Sequence, residues 1–287
     1  MTVRGPRLGS GRSPVVPLAL VAALHLAASA PAAAQKSAAG MTVAELVWGD
    51  RPVERTEEGA ESWRQLSEGD PLRTGDRLRT ASGGVARLDF PWMAVTLGPS
   101  SVLSVPASAV LSTVLEKGRA EFSGAGRDIV KIEVGEGEIR GGGRLVLWHE
   151  GERTAAAALD GAFRVRAAGK TVEITAGQGT SMLAGQAPAA PSALPDAPGG
   201  LVPGGDPAYV PSGKAAELHW TPGGAAHHVE ILALQRDDVL LARNVGEPPL
   251  RIEIPWLGTY RWRVSARDDR GLEGPPSADG YVCVVER

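Results

Sequence analysis

Short apolar–polar alternations, each closed by a glycine-rich turn, fill most of the chain after its first forty residues. RLRTASGGVARLDF alternates around Leu78, Val85, Leu88 and Phe90, and MAVTLGPSSVLSV, STVLEKGRAEF, IVKIEVGEGEIR, RLVLWHEG, TAAAALDGAFRVRAAG and KTVEITAGQGTSML follow. A period of two predicts strands. The breaks SGG, GPSS, EKG, GEG, GGG, DG, AAGK and AGQG predict tight turns between them. The alanine run Ala155–Leu159 is too short to nucleate a helix alone. The pattern therefore predicts an all-β body over residues 41–185, either a sandwich or a solenoid-like roll. Two stretches, GRAEFSGAGRDIVKIEVGEG and GAFRVRAAGKTVEITAGQG, share one scheme of strand, basic turn, strand and Gly-x-Gly, as a duplicated hairpin would or as two unrelated hairpins would.

The rhythm stops between Gln186 and Pro207, where six prolines and four glycines in 22 residues predict an extended linker. It resumes over 208–287 with AELHW, HHVEILAL, VLLARNV, LRIEIPW, TYRWRVSARD and GYVCVVER, which is the strand count of a small β-sandwich. Within TYRWRVSARD, alternation places Tyr260, Trp262, Val264 and Ala266 on one face and Arg261, Arg263, Ser265 and Arg267 on the other. The aromatics are expected inside and the arginines on a solvated face.

Composition changes the picture mainly at the N-terminus. MTVRGPRLGSGR carries three arginines, VVPLALVAALHLAASA is apolar, and PAAAQ supplies small residues at Ala32 and Ala34. That order is a cleavable export signal over 1–34, with an uncleaved membrane anchor as the alternative. No cysteine follows the apolar run, which excludes lipid attachment there. A formal charge of −3 over 287 residues gives no overall pull toward nucleic acid. The single cysteine, Cys283, cannot form an internal disulfide and is expected to be a small buried hydrophobe in the last strand.

The segments GDPLRTGDRLRTASGGVARLDF, VTLGPSSVLSV, LEKGRAEF and DGAFRVRAAGKTVEITAGQGT resemble the FecR-like domain of bacterial envelope proteins. The matching positions are Gly69, Asp70, Leu72, Thr74, Gly75, Gly98, Ser100, Gly118, Gly161, Phe163, Val165 and Gly177, across about 60–185. Phe90-Pro91-Trp92 stands where that family usually has a D-G-S turn, and only a short segment precedes the apolar run, so the family's cytoplasmic anti-sigma segment is not expected. AELHWTP together with LGTYRWRVSARDDRGLEGPPS resembles fibronectin type III-like modules, through Trp220, Gly258, Tyr260, Trp262, Arg263, Val264, Ala266, Asp268 and Gly271. Together the resemblances imply a periplasmic or secreted cell-envelope module for binding, scaffolding or sensing. In the regulatory branch of the FecR-like family, such a domain relays a signal from an outer-membrane receptor.

Candidate chemistry is sparse. There is no G-x-S-x-G elbow, H-E-x-x-H pair or phosphate-binding G-x-x-x-x-G-K-[ST] loop. The glycines of GGGR at 141–144 read as a turn. A metal site would need His219 to meet His227 or His228 with Glu217 or Glu230, and ordinary strand histidines are the simpler expectation. No catalytic residue, cofactor or metal is assigned. The candidate binding residues are Trp92 and Trp148, expected as exposed aromatics, and Arg261, Arg263 and Arg267, with Arg243 and Arg251 nearby, as a basic stripe. The expected partner is an envelope protein or a cell-wall polymer. Nucleic acid is not expected, and a membrane only if the N-terminal segment stays uncleaved.

Overall fold

The computed structural model describes residues 42–50, 52–57, 60–106, 112–124 and 131–287. The expected export signal at 1–34 lies outside them. Every regular element described is a strand, as the alternation predicts.

The N-terminal strands are β1 (Thr42–Asp50), β2 (Val53–Glu57), β3 (Arg64–Leu66), β4 (Pro71–Arg73), β5 (Asp76–Thr80), β6 (Val85–Phe90), β7 (Met93–Leu97) and β8 (Val102–Ser104). There follow β9 (Ser112–Gly124), β10 (Lys131–Val134), β11 (Gly137–Glu150), β12 (Arg153–Ala167), β13 (Lys170–Thr175), β14 (Gln178–Leu183) and β15 (Ser192–Ala193). All fifteen belong to one hydrogen-bonded network. It folds around one apolar core that includes Leu46, Leu72, Leu78, Leu88, Leu97, Leu103, Leu115, Ile139 and Ile174. Phe90-Pro91-Trp92 makes the β6–β7 hairpin, with Phe90 opposite Met93.

Three sequence expectations change here. EKG, GGG and DG are not turns. EKG sits inside β9, and GGG and DG sit inside β11 and β12, which pair continuously from Glu138↔Arg166 to Glu150↔Arg153, with one bulge after Arg144. Gly143 lies opposite Gly161, both at positive φ, and a Cβ on either would strike the facing backbone. The glycines let one long hairpin bend instead of ending two short ones. The apparent duplication also dissolves. β12 and β13 form an antiparallel hairpin, whereas β10 returns parallel to the start of β9, Lys131 beside Ser112. Finally, the proline-rich segment contributes β15 and β16 (Gly199–Val202), both pairing at sheet edges, so it is not purely extended linker.

The C-terminal strands continue as β17 (Ala208–Pro211), β18 (Ala215–Thr221), β19 (Ala226–Ala233), β20 (Val239–Val245), β21 (Leu250–Glu253), β22 (Gly258–Arg267), β23 (Glu273–Pro276) and β24 (Gly280–Val285). A sheet of order β16-β18-β21 faces one of order β17-β24-β22-β19-β20, with β23 beside β22. Trp220, Ile231, Tyr260, Trp262, Val264 and Val282 fill the space between them. Trp262 is fully buried and Tyr260 is 8% exposed, on the inner side that alternation assigns them. Cys283 departs from expectation. It is only half-buried, because in β24 the inner positions belong to Val282 and Val284, and it accepts a hydrogen bond from Thr259.

The outer face of β22 and β19 is not solvated. It packs on β9, β11 and β12. Val146, Trp148, Ala155 and Ala157 gather around Leu272, while Val85 joins Leu232, Val239 and Ala242. These two small apolar clusters bracket a charged centre.

Candidate functional site

The charged centre begins at Arg119 of β9. Gly118 has φ +89, and a Cβ there would overlap Ser101. The glycine thus lets the strand close on Ser101, whose hydroxyl accepts from the Arg119 amide at 2.9 Å and donates to its carbonyl at 3.0 Å. So held, the buried Arg119 side chain crosses to the C-terminal sandwich. Its Nε and Nη2 donate to Glu273 Oε2 and Oε1 at 2.9 and 2.8 Å. Glu121 lies 3.4 Å and Glu230 3.7 Å from the same guanidinium. Arg119 Nη1 is buried without a hydrogen-bond partner.

The network extends on both sides. Trp148 Nε1 donates to Glu273 Oε2 at 2.6 Å. Arg263 Nε donates to Glu230 Oε2 at 2.7 Å, and Arg144 Nε to Glu121 Oε1 at 2.6 Å. His228 lies between Asn244 Oδ1 at 2.7 Å and Glu230 Oε1 at 3.2 Å, its ring near-perpendicular to that of Trp148. Burial alone would raise the pKa of Glu230. The hydrogen bond from His228 and the charges of Arg263, His228 and Arg119 outweigh it and hold the carboxyl well below its usual range. Burial likewise opposes ionisation of Glu273, yet Arg119 and the other donors keep it low. Arg119 is desolvated too, but Glu273, Glu230 and Glu121 hold its proton more firmly than in water. Glu230 and Glu273 are therefore carboxylates at neutral pH, matched by arginines.

The five candidate residues fare differently. Trp148 is not an exposed aromatic. It is 8% exposed, because β11 is covered on both faces at that point. Trp92 is half-buried against the N-terminal core, tilted on Phe90, with its indole N–H buried and unpartnered. Arg261 is paired with Asp237 and Asp279, and Arg263 with Glu230. Neither belongs to a solvated basic stripe. Arg267 lies over the Trp148 ring, 4.0 Å from its centroid. The fold thus joins Trp148 and Arg267, which lie 119 positions apart.

These two line a cleft of about 390 Å³ between the β11–β12 hairpin tip and the Asp268–Gly271 turn. Ala155, Ala225 and Ala226 supply its apolar lining, and Glu150, Arg153 and Asp269 its charged rim. Arg153 Nη1 donates to the Asp269 carbonyl, closing one end.

The histidines do not assemble. His219 is exposed beside Glu217, whose carboxylate also accepts from Arg251. His227 packs on Trp220 inside the sandwich and its Nδ1 bonds the Gly246 carbonyl at 2.8 Å. His228 is on the opposite face of β19. His149 is held by Thr154 at 2.9 Å, and burial lowers its pKa. Among the described residues, no group of three or more His, Cys, Asp or Glu side chains is placed to hold a metal. Arg119 and Glu273 escape sequence reasoning. In LEKGRAEF the EKG reads as a turn before a short strand, and GLEGPPS reads as a loop, so neither marks a buried charge.

No family model matches the chain, and no curated protein matches it. Two solved structures, each described as a putative anti-sigma factor from Parabacteroides distasonis ATCC 8503, are similar over part of it. Identity is 13% in both, with TM-scores of 0.36 and 0.35. Each match covers 41% of this chain, which thereby spans 59% of the other.

Proposed function

We propose that this chain is an exported, non-enzymatic binding and scaffold module of the cell envelope, built from a FecR-like β body and a fibronectin type III-like sandwich. One observation carries the reading: the buried ionisable groups are spent on one another. Arg119, Glu273, Glu230 and Arg263 join the two β bodies, and each is engaged by an opposite charge. Such a centre fixes two surfaces at one relative orientation, as a scaffold needs. The N-terminal sequence pattern supplies the export half of the reading.

A glycan-stacking role for Trp148 loses its support, since a sugar needs an open aromatic face and Trp148 is covered by Arg267. A protein partner is better served by the sandwich end, where Tyr209 is 71% exposed and Leu234, Trp256 and Leu257 are also exposed. Cell fractionation with mass measurement of the mature N-terminus tests export. Crosslinking in intact cells, followed by purification through a C-terminal tag, tests binding. Recovery of a cleaved chain in the envelope fraction with a discrete crosslinked partner is expected. An uncleaved cytoplasmic chain would overturn the proposal.

A further inference from the structure

The guanidinium of Arg267 has its orientation fixed and its donors unspent. It is stacked on Trp148, whose own N–H is anchored at 2.6 Å on Glu273. Yet among the described residues no acceptor bonds its side chain. Three neighbouring arginines are paired with carboxylates, Arg261 with Asp237 and Asp279, Arg263 with Glu230 and Arg270 with Asp268, while Arg153 gives one N–H to the Asp269 carbonyl. A flat guanidinium held in place with five free donors suits a planar carboxylate.

The same cleft carries the opposite need. The carboxylates of Glu150 and Asp269 line it and, among the described residues, neither has a cationic partner, while Asp268 is occupied by Arg270. Between the two polarities lies a small apolar surface of Ala155, Ala225 and Ala226. A lone anion would leave Glu150 and Asp269 unanswered, and a lone cation would leave Arg267 unanswered. A molecule with both charges a few ångströms apart answers both. The volume, about 390 Å³, falls near the lower end of small-molecule sites, roughly 300–1,000 Å³.

We propose that the cleft between the β11–β12 hairpin and the Asp268–Gly271 turn binds a short zwitterionic peptide, its carboxylate on Arg267, its ammonium at Asp269 and Glu150, and its small side chains against the alanines. This rests on the reading of the chain as a binding module and names the ligand class of its seam. Alanyl-alanine, N-acetyl-alanyl-alanine (no ammonium) and alanyl-alaninamide (no carboxylate) are the probes, titrated calorimetrically into the full chain. Alanyl-alanine is expected to bind at about 1 mM or tighter. Removing either charge from the probe, or Arg267→Ala in the protein, weakens it about tenfold or more, as loss of a charge-assisted pair does. Arg267→Lys keeps the charge but not the fork and is expected to fall between. Circular dichroism and the unfolding midpoint check each variant; if Arg267→Ala does not fold, Arg267→Lys and Asp269→Asn carry the test. Absence of binding to the unaltered protein, equal binding of all three probes, or equal binding to the folded variants overturns the inference. Recovery of an envelope partner by crosslinking while alanyl-alanine fails would sink this inference alone; failure of both would take the binding-module reading with it.

Discussion

Glu273→Gln isolates the buried ionic centre. The carboxylate accepts two hydrogen bonds from Arg119, at 2.8 and 2.9 Å, and one from Trp148 at 2.6 Å. Glutamine keeps the shape and one acceptor oxygen but removes the charge. Arg119 is then left buried with Glu121 at 3.4 Å and Glu230 at 3.7 Å, and both of those already serve other arginines. Stripping one partner from a buried pair typically costs about 3–5 kcal/mol. For a chain of this size that is roughly a 6–20 °C fall in the unfolding midpoint. The companion variant Arg119→Met removes the other charge, and Arg119→Met/Glu273→Gln removes both. The double variant should be more stable than the sum of the single losses by about 1–3 kcal/mol, because no charge is left stranded. Urea unfolding followed by tryptophan emission reads all four proteins. The reasoning is refuted if each single change costs under about 1 kcal/mol and the two simply add, as they would for a solvated surface pair.

Acid should find the same centre. Glu230 and Glu273 have folded pKa values below their unfolded ones, so their contribution is present above an unfolded value of about 4.3 and is lost as pH falls through the folded values. The urea midpoint should hold between pH 7 and 5 and drop below about 4.3; a drop no steeper in the unaltered protein than in Arg119→Met/Glu273→Gln would contradict this. Gly118→Ala meets both an unfavourable φ and Ser101, whereas Gly69→Ala has φ +79 and nothing within 4 Å. The first is expected to cost about 2 kcal/mol more than the second, measured by thermal unfolding, and equal losses would show that Arg119 is not positioned by that contact. Leu272→Ala empties a site packed against Val146, Trp148, Ala155 and Ala157 and should cost about 2–5 kcal/mol in urea; a loss below about 0.5 kcal/mol would mean the seam is loosely packed.

Alternation along the chain is enough to tell the class of fold and which side of a strand turns toward its own sandwich. TYRWRVSARD is the clear case. Its aromatics lie between the sheets because side chains of a strand alternate whatever surrounds them. What the rhythm could not reveal is whether the polar half of a strand meets water. In β19, residues 227–232 are all buried, since the N-terminal sheet covers the face carrying His228 and Glu230. The same cover hides Trp148 and pairs Arg263. It also explains TAAAA, residues 154–158, where alternation fades because both faces of β12 are packed there. Nor could glycine signals distinguish a turn from a bend, as Gly143 and Gly161 sit mid-strand opposite each other. The pairing of Arg119 with Glu273 spans 154 positions and leaves no local pattern, because charge complementarity across a seam depends on which surfaces meet. Alternation is a property of the single strand; the cleft and the ionic centre arise where two sheets pack, and so exist only once the chain has folded.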